Sequence, residues 1–356
     1  DLEFLGWIIP INLFDFMLSL IISIYLGSNI FKGTVVFGKI IKLLNGKTGT
    51  MLGKFFILLN LNVYSNIKIT IKKLMIFWIA SYPKSGNTWV RSMLTSYYYS
   101  NNGIFNQKLL SKIGQFPEEK YFDNFEYDKL KVGDNSRFWI EAQEYLNKDK
   151  KLRFFKTHNF LGGINGNQFT NSKNTIAGIY IVRDPRNVLT SLKNHYEINN
   201  EDALNFMTNE KKFIYDYKKK NDYSDFQFIS SWKHNYKSWI NQKIFPIKII
   251  KYEDLQEKTF YILKDLITFI DKIISNKNKF NKKKAINSVK SSSFDELKNI
   301  EKTEGFREAV LSRDDKKKIP FFYLGPKNDW KKMFDENYQK KLNTEFEDSL
   351  KELGYI

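Results

Sequence analysis

FWIASYPKSGNTWVRSML, Phe77 to Leu94, is an apolar strand pattern that breaks into a turn and then into an amphipathic helix. That order of elements builds an anion site. The first N–H groups of a helix have no intrahelical partner, and the helix dipole turns its positive end towards the loop. Lys84, Ser85, Gly86, Asn87 and Thr88 add a cation, two hydroxyls, an amide and a glycine that lets backbone approach closely. The loop is not a Walker loop, which reads GxxxxGK[ST]: here Lys84 precedes Gly86 and Pro83 precedes the lysine.

The rest of the chain after Met75 reads as α/β. Ile76 to Ala80, Arg153 to Lys156, Ile176 to Val182 and Ile247 to Lys251 are short apolar runs that predict strands. Trp89 to Tyr99, Pro185 to Tyr196 and a long segment from Phe226 to Gln242 predict helices between them, with further helices after Glu257. Such alternation predicts a three-layer domain around a parallel sheet of about five strands, covered on both faces.

At 356 residues there is room for one large α/β domain and something more. The surplus is an apolar leader over residues 1–72. Leu5 to Leu26 is of membrane-spanning length, although Pro10, Asn12 and Asp15 oppose insertion. Met75 stands directly before the first strand, so the leader is expected to be membrane-associated or dispensable, and the domain to start near residue 73. The expected location is cytoplasmic, with membrane contact through residues 5–26.

The net charge of +18, from 57 Lys plus Arg against 39 Asp plus Glu, favours anionic ligands. The cations are scattered rather than gathered in one aromatic-bearing tract, and KKFIYDYKKK, Lys211 to Lys220, is short, so nucleic acid is not an expected partner. The absence of cysteine excludes disulfides, thiolate catalysis and cysteine-based metal sites. His158, His195 and His234 lack the HExxH spacing, and no metal is expected.

YPKSGNTW, Tyr82 to Trp89, resembles the 5′-phosphosulfate loop of the sulfotransferases that use 3′-phosphoadenosine 5′-phosphosulfate (PAPS), whose pattern is close to YPKSGTTW. IYIVRDPRNVLTSLKNHY, Ile179 to Tyr196, resembles the 3′-phosphate site of the same family, with Arg183 and Ser191 as the gripping pair. Guanidinium suits this task because its forked donors match phosphate oxygens. FFKTHNF, Phe154 to Phe160, resembles the segment whose histidine, here His158, is the catalytic base and whose lysine, here Lys156, contacts the transferring group. IIKYEDL resembles the segment whose Tyr252 reaches adenine. SSF, Ser292 to Phe294, resembles one whose ring, Phe294, sandwiches adenine opposite Trp89.

The last match is imperfect. The family carries RKGxxGDW, whereas this chain has YLGPKNDW, Tyr323 to Trp330, so Tyr323 and Leu324 replace two cations and Asn328 replaces the second glycine. Gly325 keeps its N–H for the 3′-phosphate. Lys327, or Arg307 or Arg313 nearby, is expected to replace the lost charge.

The resemblance covers Met75 to the C-terminus and implies a fold like that of nucleotide kinases. It also implies in-line sulfuryl transfer from PAPS to a hydroxyl or amine, without metal. Lys84, Lys156 and the helix N-terminus at Ser85 to Thr88 would hold the phosphosulfate bridge, Arg183 and Ser191 would select the 3′-phosphate, and His158 would take the acceptor's proton. Acceptor selection would fall to residues 101–150, 198–225 and 298–320, which suit a small molecule, a glycan or a lipid. One alternative is a P-loop kinase, although GKIIKLLNGKT, Gly38 to Thr48, has Ile41 where the first Walker glycine belongs. The other is a non-catalytic nucleotide-binding relative, supported by Tyr323 and Leu324 and opposed by the intact Lys84, Lys156 and His158.

Overall fold

A computed structural model describes residues 76–216, 219, 222–309 and 319–356. The leader, its membrane contact and Arg313 lie outside them. Among the described residues no helix is long and apolar enough to cross a membrane.

Five parallel strands form the sheet: β1 (Ile76–Ser81), β2 (Gly114–Gln115), β3 (Arg153–Thr157), β4 (Thr175–Val182) and β5 (Ile247–Lys251), in the order β2-β3-β1-β4-β5. β1 is central, which explains why all six of its residues are buried. Its side chains alternate between two cores. Ile76, Trp78 and Ala80 enter one core with α2 (Pro185–Tyr196) and α3 (Trp232–Ile240). Phe77 and Ile79 enter the other with α1 (Asn87–Tyr99) and α4 (Thr259–Ile273). The result is the expected three-layer α/β fold of nucleotide-kinase type, in which truncating a central residue such as Ile79 to alanine would cost about 2–5 kcal/mol.

Four strands coincide with the apolar runs to within a residue or two. β2 has only two residues and completes the sheet on the β3 edge. The long helix expected from Phe226 to Gln242 is shorter. Gln227–Phe228 pairs antiparallel with Phe213–Ile214, and α3 starts only after Ser231, whose side chain accepts the His234 N–H as an N-cap.

All parallel strands end on one side of the sheet, and the loops leaving β1, β3 and β4 there carry the three main sequence motifs. An open α/β sheet binds its ligands at that edge.

Candidate active site

The β1–α1 loop is shaped by two left-handed residues, Lys84 at φ 65° and Gly86 at φ 99°. For lysine that conformation is strained, a cost that functional loops carry more often than others. Gly86 is needed for space as well, since a Cβ there would lie 2.6 Å from the Tyr252 ring. α1 then begins with no side-chain cap and no acidic residue in its first turn, so its N-terminal N–H groups face the loop. Asn87 secures the turn by donating to the Ile79 carbonyl at 2.9 Å. The buried Ser85 hydroxyl has no partner. Such orphaned polarity under a loop of helix N–H groups fits an anionic ligand.

The end of β3 brings Lys156 and His158 to the same place. His158 Nδ1 donates to the Ser81 carbonyl at 2.7 Å, which fixes the tautomer and leaves Nε2 with its lone pair. Two groups outside the motif hold the histidine backbone: Gln227 Oε1 accepts its N–H at 2.9 Å, and Asn235 donates to its carbonyl at 2.9 Å. Burial, reinforced by Lys156, pushes the imidazolium down to about 3, so the ring is neutral at physiological pH. Burial and the Arg183 charge likewise lower Lys84 to about 7, and burial lowers Lys156.

β4 delivers Arg183, and α2 delivers Ser191 two turns after Pro185. Asp184 caps α2 by accepting the Arg186 N–H and also pairs with the Arg186 side chain at 2.7 Å, so the RDP turn is a helix start as well as a site element. Arg183 Nη1 donates to the Lys84 carbonyl at 2.9 Å and to Ser191 Oγ at 3.2 Å, with its guanidinium 4.1 Å from the Tyr252 ring centre. Its Nε is buried without a partner. Asn328, where the family pattern has glycine, donates to Ser191 Oγ at 3.1 Å and accepts from Thr190 at 2.6 Å.

The aromatic residues flank these groups. Trp89 meets Tyr252 edge-on at 5.7 Å, and both Trp89 and Phe294 pack on the cluster containing Leu297, Phe306 and Phe322. Gly325, at φ 52°, lies so close to the Phe294 ring that a side chain there would collide with it. One cavity of about 1480 Å³ joins the whole arrangement. The loop contributes Lys84, Gly86, Asn87, Thr88 and Trp89 to its wall, the strand ends contribute Lys156, His158 and Arg183, and Ser191, Tyr252, Phe294 and Gly325 complete that side. Ser85 and Ser292 are buried with unpartnered hydroxyls and do not line it, and Lys327 is exposed outside it. Arg307 does line it.

Glu308, His195 and Arg91 also line the cavity and carry no role in the motif reading. Glu308 accepts from Arg91 Nη1 at 2.7 Å, from Thr88 Oγ1 at 2.8 Å and from Lys156 Nζ at 3.1 Å. Burial acts to raise its carboxyl, but Arg91 and Lys156 outweigh that and hold it well below the usual range. His195 lies 3.5 Å from Lys84 Nζ and is pushed down to about 2 by burial and then Lys84. Arg91 and His195 lie inside the quoted motif segments with no role assigned there, whereas nothing local marks Glu308. Among the described residues no group of three His, Cys, Asp or Glu side chains could hold a metal ion.

The sequence profile of the sulfotransferase domain matches residues 76–354. Luciferin sulfotransferase of Photinus pyralis is 25% identical over 230 residues, which is 62% of this chain and 56% of that protein. The chain thus spans about half the length of that curated relative. Among solved structures, retinol dehydratase in complex with androsterone and inactive cofactor PAP aligns with a TM-score of 0.48 and 16% identity, covering 78% of this chain and 80% of that one. Since the profile runs from the first residue of β1 almost to the C-terminus, the chain belongs to the sulfotransferase domain family.

Proposed function

We propose that this protein transfers a sulfuryl group from PAPS to a hydroxyl or amine of a small-molecule, glycan or lipid acceptor. The observation that carries the reading is the convergence on one cavity of an uncapped helix N-terminus with Lys84, a neutral His158 with a free Nε2, and the Arg183–Ser191 pair. PAPS supplies an activated sulfuryl group on a good phosphate leaving group. Its fit is supported by Arg183, which lines the cavity with its Nε unpartnered and so offers an anion a further donor.

In this reading the N-terminal N–H groups of α1 and the Lys84 ammonium hold the 5′ side of the donor and neutralise charge on the departing phosphate. Lys156 sits beside the non-bridging oxygens. His158 Nε2 accepts the acceptor's proton, while the Ser81 carbonyl holds the Nδ1 proton and stabilises the imidazolium that forms. Gln227 and Asn235 keep that ring in place through its backbone. Arg183 and Ser191 read the 3′-phosphate, Trp89, Tyr252 and Phe294 enclose the purine, and Gly325 completes that pocket. Arg307 lines the cavity and Lys327 does not, so Arg307 is the better placed to replace the missing family cations. The relative named for luciferin supports a small-molecule acceptor.

The test is acceptor-dependent release of 3′-phosphoadenosine 5′-phosphate from PAPS by the full chain over a panel of phenols, sugars and amines. Release with one acceptor class, lost in His158→Ala, is expected. Absence of release across the panel while the donor binds would favour a non-catalytic relative.

A further inference from the structure

The place where Thr88 and Lys156 converge is filled by one of the protein's own carboxylates. Glu308 takes three donors at once: the Arg91 guanidinium at 2.7 Å, the Thr88 hydroxyl at 2.8 Å and the Lys156 ammonium at 3.1 Å. Thr88 belongs to the anion loop and Lys156 to the strand end beside His158, so the carboxylate sits where a sulfuryl group held by the same donors would have to lie. Arg91 is almost fully buried and, among the described residues, otherwise reaches only the Ile113 carbonyl, at 3.4 Å. It too is therefore a charge in need of an anion. From these contacts we infer that Glu308 is a resident counter-anion of the donor site, which the donor's phosphosulfate end displaces when it binds. The inference rests on the PAPS reading above.

Two consequences follow from treating donor binding as an exchange of anions. Without ligand, Glu308 keeps three polar donors, two of them cationic, satisfied in a buried setting, where unpaired they would be costly. With ligand, affinity is reduced by whatever the carboxylate gains from those donors. The penalty applies only to ligands that carry an anion at the loop, and a ligand that occupies just the purine and 3′-phosphate pocket escapes it.

The experiment is a calorimetric titration of the full chain and of Glu308→Gln with PAPS and with adenosine 3′-phosphate, which has no group at the loop. The amide keeps hydrogen-bonding capacity towards Arg91 and Thr88 and removes the competing charge. The expected result is PAPS binding about tenfold or more tighter in Glu308→Gln, with adenosine 3′-phosphate changed less than about twofold. Equal tightening of both ligands, or none of PAPS, overturns the inference while leaving the donor reading intact. Failure of both proteins to bind PAPS refutes both. A wild-type co-crystal with PAPS gives an answer that does not depend on the variant folding: Thr88 Oγ1 should bond the ligand and no longer Glu308, and a carboxylate still on Thr88 and Lys156 beside bound donor contradicts the exchange.

Discussion

Raising the pH from 7 to 9 should weaken donor binding about fiftyfold through Lys84 alone. In the free protein, burial and Arg183 bring this ammonium down to about 7. A bound phosphate supplies the missing counter-charge and returns the lysine towards its ordinary value of about 10.4. The liganded state then holds the proton and the free state does not, so binding takes up a proton above pH 7 and affinity falls as pH rises. The limiting slope is one decade per pH unit, or about 2.7 kcal/mol over two units. Below about pH 6 both states are protonated and this contribution is flat. The assay is isothermal calorimetry with 3′-phosphoadenosine 5′-phosphate in two buffers of different ionisation enthalpy, which reads the number of protons taken up directly. Ligand ionisation does not interfere, because the second phosphate pKa lies near 6. Burial lowers Lys156 too, so the diagnostic comparison is with Lys84→Arg. Guanidinium stays charged throughout, and the variant should lose about one decade per pH unit of the wild-type dependence. Constant affinity from pH 7 to 9 with no proton uptake would refute the reasoning.

Three other variants probe separate parts of the site. His158→Ala should lower turnover about 10²- to 10⁴-fold while changing 3′-phosphoadenosine 5′-phosphate affinity less than about threefold, and the reverse pattern in steady-state kinetics and calorimetry would remove the base assignment. Gly86→Ala forces a side chain into a left-handed position 2.6 Å from the Tyr252 ring, so it should cost about 1–3 kcal/mol in chemical denaturation and weaken the ligand; wild-type stability would mean that the loop relaxes freely. Arg183→Lys keeps the charge but loses the fork held by the Lys84 carbonyl and Ser191, and should reduce affinity about tenfold for 3′-phosphoadenosine 5′-phosphate but little for adenosine 5′-phosphate.

The sheet was readable where a strand is long, apolar and central. β1 and β4 are runs that no helix periodicity explains, and both faces of β1 are buried; β5, at the sheet edge, shows only as the short run IKIIK. β2 was not readable, because two residues with an intermediate burial carry no pattern. The helix starting at Trp232 was overextended since Phe226 to Gln242 is evenly aromatic and polar; the stop signal was Ser231, an N-cap whose role depends on its neighbours turning back to pair with Phe213–Ile214. In the site, residues that act from a strand end or helix start were visible as local motifs. Glu308 was not, since its meaning comes from Thr88, Arg91 and Lys156, which lie more than 150 residues away in sequence. Asn328 registered only as a departure from the family glycine, whereas its bonds to Thr190 and Ser191 tie the C-terminal motif to α2.

The proposed donor site calls for a 3′-phosphorylated adenylate and no metal. Calorimetric titration of the full chain with 3′-phosphoadenosine 5′-phosphate, beside ADP and ATP with magnesium and with chelator, tests it most directly. The expected result is tight binding that requires the 3′-phosphate, is insensitive to chelator and exceeds that of either nucleotide. A preference for ATP that depends on magnesium would contradict it and make the site that of a kinase.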